Sequence, residues 1–177
     1  MKEPGIVTTI SKKVCLLGDF AVGKTSLVRQ FVYNRFEEQY LSTIGVHVSR
    51  KTLSVPHPDG VVDLAILLWD IAGNNGFEKV RASYIRGAAG ALLVCDLTRP
   101  ETLGNLMTYV GLVRSVSPQA RLILAANKCD LIDDQQLTTD QIEAMAHSLD
   151  APFFLTSAKT GNEVETIFRT LGSMLVE

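Results

Sequence analysis

Residues 18–25 read Gly-Asp-Phe-Ala-Val-Gly-Lys-Thr and directly follow the apolar run Val14-Cys15-Leu16-Leu17. Two glycines, a lysine and a threonine at this spacing are typical of a loop that joins a β-strand to an α-helix and surrounds a phosphate. Backbone N–H groups of such a loop point at the anion, the lysine reaches the terminal phosphates, and the hydroxyl can ligate Mg²⁺. The stretch predicts a nucleotide-binding α/β fold. ATPases, kinases and GTPases all carry it, and a glycine-rich turn without this role is the alternative.

Length and composition indicate one ordinary globular unit. The chain has 177 residues, of which 17 are basic and 19 acidic, and we expect one domain over residues 1–177. Basic residues form no run longer than a pair, so we expect no nucleic-acid partner. The cysteines, Cys15, Cys95 and Cys129, are odd in number and lie on or beside apolar runs, which favours reduced thiols in the cytoplasm. We expect a soluble chain, because no apolar run approaches the ~18 residues that cross a bilayer and no signal peptide is visible.

Apolar segments of β type alternate with helical patterns along the chain. Six such segments lie near residues 10–17, 46–53, 62–69, 91–96, 121–126 and 153–156. They predict an α/β fold with a six-stranded, mostly parallel sheet and helices on both faces. The turn-rich link at residues 56–60 is too short for a crossover helix, so the second and third strands should form one antiparallel pair.

Two apolar stripes at helical spacing predict helix faces that pack into the core. Their members are Leu103, Leu106, Met107, Val110 and Val113 in one stripe, and Val164, Ile167, Phe168, Leu171 and Leu175 in the other. Tyr109 lies outside the first stripe, and we expect it to pack at the surface.

Asn127-Lys128-Cys129-Asp130 follows an apolar strand, at the edge of the sheet where open α/β folds bind ligands. A carboxylate there can accept hydrogen bonds from N1–H and the amino group of guanine, whereas adenine offers no matching donor pair. We therefore expect Asp130 to read guanine, Lys128 to lie along the base, and Asn127 to tie this loop to the phosphate loop. Alone, such a tetrapeptide is often a solvated turn. Its order after the phosphate loop favours GTP and disfavours an ATP-dependent kinase or ATPase.

Three further motifs complete the set. Residues 156–159, Thr-Ser-Ala-Lys, end the last strand, where backbone N–H groups can meet the guanine carbonyl. Asp70, in Leu67-Leu68-Trp69-Asp70-Ile71-Ala72-Gly73, ends a strand and suits a Mg²⁺-bound water, while the N–H of Gly73 can approach a phosphate. Thr43, in Ser42-Thr43-Ile44-Gly45, can supply a second hydroxyl to Mg²⁺.

The ordered motifs GDFAVGKT, STIG, WDIAG, NKCD and TSAK resemble those of the Ras superfamily, and within it the Rab-like branch, over almost the whole chain. The resemblance implies the G-domain form of the P-loop NTPase fold, GTP or GDP as the bound nucleotide, and hydrolysis of GTP with Mg²⁺. It implies a metal site of Thr25, Thr43 and Asp70 and catalytic roles for Lys24, Thr43, Gly73 and Asn74. The implied nucleotide-binding set is Gly18, Phe20, Ala21, Val22, Gly23, Lys24, Thr25, Ser26, Phe36, Tyr40, Thr43, Gly73, Asn127, Lys128, Asp130, Ser157, Ala158 and Lys159. For Phe36, which matches the aromatic residue beside the base, a buried position at the end of the first helix is the alternative.

Asn74 is the sharpest departure from the family pattern, because the family usually has a glutamine there that orients the attacking water. Asparagine is shorter by one methylene, about 1.5 Å of reach, so we expect slow intrinsic hydrolysis. The alternatives are that another residue positions the water, or that the protein is a GTP-bound binding module with negligible hydrolysis. Phe20 also departs from the pattern: its ring either restricts the entry of a partner's arginine or lies flat on the neighbouring loop.

The resemblance also implies a nucleotide-dependent switch, with moving segments near residues 36–45 and 72–84. Effector, exchange-factor and activating proteins are expected on a surface that includes Val48, Trp69 and Tyr84, although Trp69 also suits ordinary strand packing. No cysteine follows Cys129, so we expect no direct lipid anchor and membrane recruitment only through partners. This ending suits a soluble prokaryotic Rab-like GTPase that partners recruit, or a G domain trimmed from something longer. We expect the protein to be monomeric.

Overall fold

A six-stranded sheet organises the chain. The computed structural model describes residues 8–39, 41–73 and 78–177. Its strands are β1 (Thr8–Leu17), β2 (Val46–His57), β3 (Gly60–Ile71), β4 (Gly90–Asp96), β5 (Arg121–Asn127) and β6 (Phe153–Leu155). They lie in the order β2-β3-β1-β4-β5-β6, and every pair is parallel except the antiparallel pair β2–β3. The predicted mostly parallel sheet with one antiparallel pair is confirmed.

Helices cover both faces of this sheet. On one face lie α1 (Lys24–Tyr33) and α6 (Val164–Val176). On the other lie α2 (Glu78–Ile85), α3 (Glu101–Gly104), α4 (Leu106–Val116) and α5 (Thr139–Ser148). A short 3₁₀ turn, Ile132–Asp134, precedes α5. No helix in the described part of the chain is long and apolar enough to span a bilayer.

Burial from both sides explains why the central strands read as continuous apolar runs. All seven residues of β4 are buried. Leu92 packs into the core beneath α1 and α6, and its neighbour Leu93 packs into the core on the opposite face. The rings of Phe31 and Phe168 stack with centroids 4.1 Å apart and join α1 to α6.

The β2–β3 hairpin is longer than the sequence pattern predicted. β2 continues through His57 and β3 begins at Gly60, so only residues 58 and 59 form the turn. The prediction of a turn-rich link over residues 56–60 was therefore too wide. Pro56 is accommodated because β2 is an edge strand, where a missing N–H need not interrupt the ladder.

The first predicted helical stripe is partly wrong, and the second is confirmed. The helix is interrupted between Gly104 and Leu106, and the side chain of Met107 is 50% exposed instead of buried. Tyr109, expected at the surface, is buried. All five members of the C-terminal stripe are buried on α6.

The parallel strands end at one edge of the sheet, where their connecting loops meet. After β1, the chain adds β2 and β3 on one side of that strand and then β4, β5 and β6 on the other side. Such a reversal opens a crevice beyond the carboxyl ends of the strands. Residues 18–23, Asp70, Asn127 and residues 156–159 all follow or end strands at this edge.

Candidate nucleotide site

The loop between β1 and α1 has the backbone of a phosphate cradle. Gly23, the residue before α1, has a φ of 106°, in the left-handed region that favours glycine. A Cβ added there would lie 2.2 Å from the side-chain nitrogen of Asn127, so only glycine fits. The first N–H groups of α1 have no helical acceptors and carry the positive end of the helix dipole. The loop is built to receive an anion.

Lys24 lies at the centre of this loop. Its side chain is buried and its ammonium donates hydrogen bonds to the carbonyl oxygens of Gly18 at 2.8 Å and Asp19 at 2.9 Å. Burial lowers the pKa of Lys24 to about 8, while the carboxylates of Asp70 and Asp19 act in the opposite direction. The ammonium spans the loop at the position where phosphate oxygens would be bound.

Three oxygen-bearing side chains converge beside Lys24. The hydroxyls of Thr25 and Thr43 are 2.7 Å apart, and the Thr25 hydroxyl donates to Oδ2 of Asp70 at 2.5 Å. Asp70 is buried, and its Oδ1 has no hydrogen-bond partner among the residues that the structure describes. Burial raises the pKa of Asp70, while the Thr25 hydroxyl and the Lys24 ammonium lower it. Hard oxygen donors with an unsatisfied buried carboxylate oxygen fit Mg²⁺.

The end of β3 closes the phosphate side of the site. A Cβ added to Gly73 would lie 2.6 Å from the backbone nitrogen of Phe20, so the two loops touch backbone to backbone. The N–H of Ala72 donates to the carbonyl of Gly45 at 2.9 Å, which joins this segment to the one that carries Thr43. A cavity of about 30 Å³ is enclosed by Phe20, Ala21, Gly23, Lys24, Thr25, Ser26, Thr43, Ala72 and Gly73.

Asn127 connects three loops through one side chain. Its Nδ2 donates to the carbonyl of Val22 in the phosphate loop at 3.0 Å. Its Oδ1 accepts from the hydroxyl of Thr156 at 3.2 Å and from the N–H of Ala158 at 3.3 Å. The side chain is buried, so these bonds are shielded from water. The side chain of Asn127 therefore joins the phosphate loop to the two loops expected at guanine.

Asp130 is oriented by a neighbouring hydroxyl. Ser157, which is buried, donates to Oδ1 of Asp130 at 2.7 Å. The preceding Lys128 has a φ of 70° and its ammonium lies 2.6 Å from Oδ2 of the buried Asp96 at the end of β4. This ion pair fixes the stem of Lys128 along the wall of the site. Both side chains are thus held in place by partners outside their own loop.

One cavity of about 490 Å³ joins the predicted phosphate and guanine residues. Its lining includes Ala21, Thr25, Ser26, Phe36, Asn127, Lys128, Asp130, Ala158 and Lys159. Phe36 is 38% exposed at this cavity, so the alternative of a buried phenylalanine at the end of α1 is wrong. A volume of this size suits a small-molecule ligand.

Two predicted site residues, Tyr40 and Asn74, lie outside the described residues. Of the others, Ser157 and Asp70 line neither cavity but contact residues of the site, Asp130 and Thr25 respectively, and the rest lie at the two cavities or in the phosphate loop. Gly18 and Val22 contribute through the loop backbone: Gly18 accepts from Lys24 and Val22 from Asn127.

Sequence reasoning missed a group of side chains on the outer side of the phosphate loop. Asp19 accepts hydrogen bonds from Asn105 at 2.7 Å and from the hydroxyl of Tyr109 at 3.0 Å, and Arg99 donates to the carbonyl of Phe20 at 2.8 Å. Burial, with the charge of Asp19, raises the pKa of Tyr109 to about 12. Asp19 itself could have predicted these contacts, because an acidic residue inside a phosphate loop needs hydrogen-bond donors that hold its carboxylate away from the anion.

The predicted docking residues lie on or beside β2 and β3. Val48 is 47% exposed, whereas Trp69 and Tyr84 are half-buried with ring centroids 6.3 Å apart. The ammonium of Lys13 lies 3.8 Å from the centroid of the Trp69 ring and donates to the carbonyl of Arg86. Trp69 therefore packs within its own sheet while part of it stays accessible.

The sequence is similar to known proteins over most of its length. A sequence model of the Ras family matches residues 13–177. The chain is 35% identical over 166 residues to the Ras-related protein SEC4 of Saccharomyces cerevisiae, an alignment that covers 93% of this chain and 75% of that protein. It is 34% identical over 160 residues to the Ras-related protein RIC1 of Oryza sativa, with 90% of this chain and 77% of that protein covered.

Proposed function

The chain belongs to the Ras family, in its Rab-like branch. From that premise we propose which of its residues bind GTP, which hydrolyse it, and which change position when the γ-phosphate is lost. Members of this family are small GTP-binding switch proteins and GTP hydrolases, and the chain is one of them. We propose that residues 1–177 act as a single G domain. Lys24, Thr43 and Gly73 are assigned to the γ-phosphate, with Asn74 beside the attacking water.

The observation that carries this proposal is the set of bonds made by Asn127. One side chain links the phosphate loop to the loops that hold Asp130 and Ala158. A ligand that fills the adjoining cavity therefore meets a phosphate cradle at one end and a carboxylate at the other. GTP and GDP match both ends, because guanine offers two donors to a carboxylate and adenine does not.

Mg²⁺ is the cation that this family uses with its nucleotide, and the oxygen donors at residues 25, 43 and 70 suit it. When bound, the ion neutralises charge on the phosphates. The chain's own residues supply the rest: Lys24 binds the phosphates, the N–H groups at the start of α1 orient them, and Gly73 closes the site against Phe20. Phosphoryl transfer depends on such positioning and electrostatic stabilisation.

We propose that hydrolysis is slow because Asn74 is too short to hold the attacking water well. Ras itself hydrolyses GTP at about 10⁻⁴–10⁻³ s⁻¹ even with its glutamine. The second candidate function, a GTP-bound binding module with negligible turnover, is favoured by the same residue. Single-turnover hydrolysis of bound GTP by the purified chain distinguishes the two, since a switch converts its GTP within hours and a static module retains it.

Loss of the γ-phosphate would release the segments around residues 36–45 and 72–84. Thr43 and Gly73 both lie beside the phosphate loop, and the Ala72–Gly45 hydrogen bond couples their segments. Hydrogen bonds to a charged group are worth roughly 1.5–3 kcal/mol each, so two of them with the metal contact supply the ~5.5 kcal/mol that inverts a 1:99 equilibrium. Effectors, exchange factors and activating proteins would read this change at Val48, Trp69 and Tyr84.

Phe20 is proposed to limit access to the γ-phosphate from outside. Its ring is 42% exposed and lines the small cavity beside Lys24 and Gly73. An activating protein would then act without inserting an arginine past this ring. A structure of the chain with such a partner tests the idea, and an arginine that passes Phe20 to the γ-phosphate contradicts it.

We also propose that the protein is cytoplasmic and monomeric and is recruited to membranes by its partners. Buried Cys15 and Cys95 support a reduced state, because burial raises the pKa of each thiol to about 12 and both stay protonated. Fractionation of cells that express the full protein, with and without its partners, measures this distribution.

Competitive binding of GDP, GTP and ATP to the purified chain tests the central assignment. We expect GDP and GTP to bind far more tightly than ATP, because a buried polar site rejects a mismatched base by roughly 10⁴–10⁵. Asp130→Asn should lose most guanine affinity. Asp133→Asn, at an exposed position three residues further on, is the matched control and should bind like the wild type. Preferential ATP binding would contradict the proposal.

A further inference from the structure

Arg99 reaches from the loop after β4 to the backbone of the phosphate loop. Its Nη1 donates to the carbonyl oxygen of Phe20 at 2.8 Å, and its Nε donates to Glu101 at 3.2 Å. Arg99 lies outside every motif that identified the nucleotide site. Its side chain is 36% exposed, and this contact joins two loops that are 79 residues apart in sequence.

The backbone that carries Arg99 is held firmly at the end of β4. Its N–H donates to the carbonyl of Asp96 at 3.0 Å, and its carbonyl accepts from the hydroxyl of Thr102 at 2.7 Å. The N–H of Thr98 donates to the side chain of Asp96 at 2.8 Å, which closes the turn from the inside. A long side chain with a fixed base loses less entropy when its guanidinium is held in one place.

The contact constrains the peptide that joins Phe20 to Ala21. In a trans peptide, the C=O and the N–H point in opposite directions. Because Arg99 holds the carbonyl of Phe20, the N–H of Ala21 is directed away from Arg99, and Ala21 itself lines both cavities of the site. Such an N–H is a donor for a phosphate oxygen.

Ala21 occupies a backbone conformation that an alanine adopts at a cost. Its φ is 62°, in the left-handed region, where a residue with a Cβ is disfavoured. The hydrogen bond from the charged Arg99 guanidinium to the preceding carbonyl opposes this cost and favours the observed orientation of the peptide.

We propose that Arg99 is a positioning residue for GTP hydrolysis: it fixes and polarises the Phe20–Ala21 peptide so that the N–H of Ala21 donates to the phosphates. The inference rests on the proposed nucleotide site. Donation from a guanidinium to the carbonyl strengthens the N–H as a donor, because hydrogen bonds in a chain polarise one another. The effect is larger in the transition state, where negative charge grows on the phosphate oxygens.

The charge of Arg99 is also felt inside the site. Together with Arg81, it lowers the pKa of Lys24, although burial and the two carboxylates act more strongly. Arg99 is thus near enough to the phosphate cradle to contribute positive potential as well as orientation.

The test compares Arg99→Gln and Arg99→Lys in the full chain, with Arg121→Gln as the matched control. Arg121 is an exposed arginine that begins β5 at the opposite edge of the sheet. Arg99→Gln should slow single-turnover hydrolysis of bound GTP about tenfold and weaken GDP binding several-fold, since loss of one charged hydrogen bond is worth about tenfold or more. Arg99→Lys should recover most of both losses, and Arg121→Gln should match the wild type.

Two further readouts separate positioning from a general structural effect. In ¹⁵N–¹H spectra of the GDP-bound protein, the amide proton of Ala21 should move upfield in Arg99→Gln and stay near its wild-type position in Arg99→Lys. In an Ala21→Gly background, where left-handed backbone carries no cost, Arg99→Gln should weaken GDP binding less than twofold.

The inference is overturned if Arg99→Gln hydrolyses and binds like Arg121→Gln, if the Ala21 resonance does not move, or if the two substitutions weaken binding independently. A wild-type chain that binds neither GDP nor GTP would overturn the proposed function as well. Normal binding by the wild type with no effect of Arg99→Gln would overturn the Arg99 role alone.

Discussion

Asp70 shows how a buried carboxylate can be kept available for a cation. It lies in register with Leu16 of β1 and His47 of β2, at the point where three strands meet. Burial would favour the neutral acid, and the Thr25 hydroxyl and Lys24 ammonium offset that tendency. The sequence motif predicted a metal ligand, and the structure adds the neighbours that oppose the effect of burial on the pKa of this carboxylate.

Lys24 should make nucleotide binding depend on pH. Its pKa is lowered to about 8 by burial, and bound phosphates favour the charged ammonium, so binding should raise that pKa. Near pH 8, GDP binding should take up about half a proton, and the uptake should grow between about pH 7.5 and 8.5. Calorimetry in two buffers of different ionisation enthalpy measures it. A constant value, or proton release over this range, would contradict the assignment.

The same shift affects folding of the ligand-free protein. The folded pKa lies below the ordinary value of 10.5, so burial of the ammonium costs stability below about pH 8. As pH rises from about 8 towards 10.5, the unfolded chain holds a proton that the folded chain has lost, and this cost is relieved.

Asn74→Gln should raise the intrinsic rate of GTP hydrolysis severalfold. Glutamine extends the amide by about 1.5 Å, which brings it within reach of the attacking water. Single-turnover conversion of bound [γ-³²P]GTP measures the rate. Asn75→Gln, the same substitution one residue later, is the control and should leave the rate unchanged. A wild-type rate near one per second would refute the premise that the asparagine limits turnover.

Tyr109 illustrates what residue patterns leave out. A helical stripe marks positions that repeat every three or four residues, and Tyr109, three residues after Leu106 and four before Val113, has this spacing although we expected it at the surface. The structure buries it because its hydroxyl has a partner in Asp19, from a loop that is 90 residues away in sequence, and because Arg81 packs over its ring. Long-range polar pairs of this kind have no local signal.

At the scale of elements, the strands were the most predictable part of the fold. Each predicted strand overlaps an observed one, and the errors are at the ends, as in the β2–β3 hairpin. Burial on both faces gives central strands an apolar run that is hard to miss, whereas a hairpin can continue through residues that also suit a turn. The break between α3 and α4 was missed because Gly104 and Asn105 tolerate a helix as well as its interruption.

The N-terminus of α5 offers a test of local stability. Thr138 accepts a hydrogen bond from the N–H of Gln141 at 3.3 Å, and the Gln141 side chain accepts one from the N–H of Thr138 at 2.9 Å. Thr138→Ala should lower the free energy of unfolding by about 1 kcal/mol, because the cap satisfies N–H groups that the helix leaves unpaired. Urea unfolding with saturating GDP measures it.

Thr139→Ala is the matched control for that measurement. Thr139 is exposed, and it is the first residue of α5 and not its cap. Its replacement should change the free energy of unfolding by less than about 0.5 kcal/mol. Equal effects of the two substitutions would mean that the cap contributes nothing specific.

Across the whole molecule, the motifs were informative because they share one edge of the sheet. Strand alternation predicts that loops after parallel strands meet there, so the order of the motifs implied their proximity. The hydrogen bonds of Asn127 and the position of Asp130 at the cavity agree with this expectation of proximity. The contacts of Arg99, Asn105 and Tyr109 were not predicted, because they connect the outer side of the phosphate loop to helices and turns that carry no motif.

The switch itself should be visible as a change in backbone protection. Hydrogen exchange of residues 41–45 and 78–85 should slow when a non-hydrolysable GTP analogue replaces GDP, because the γ-phosphate holds Thr43 and Gly73. Exchange in β4 and β5 should stay the same, since both strands are buried in the core, and they serve as the internal reference. Uniform protection in the two nucleotide states would indicate a binding module and not a switch.

The hydrogen bond from Asn127 to the phosphate loop also affects how the protein folds as it is synthesised. During translation, the phosphate loop is made about a hundred residues before Asn127, and at ~5–20 residues per second the interval is roughly 5–20 seconds. Until then the loop lacks the side chain that supports it at Val22. A nascent chain should therefore be unable to bind GTP or GDP. Binding of cellular nucleotide would then stabilise only complete molecules.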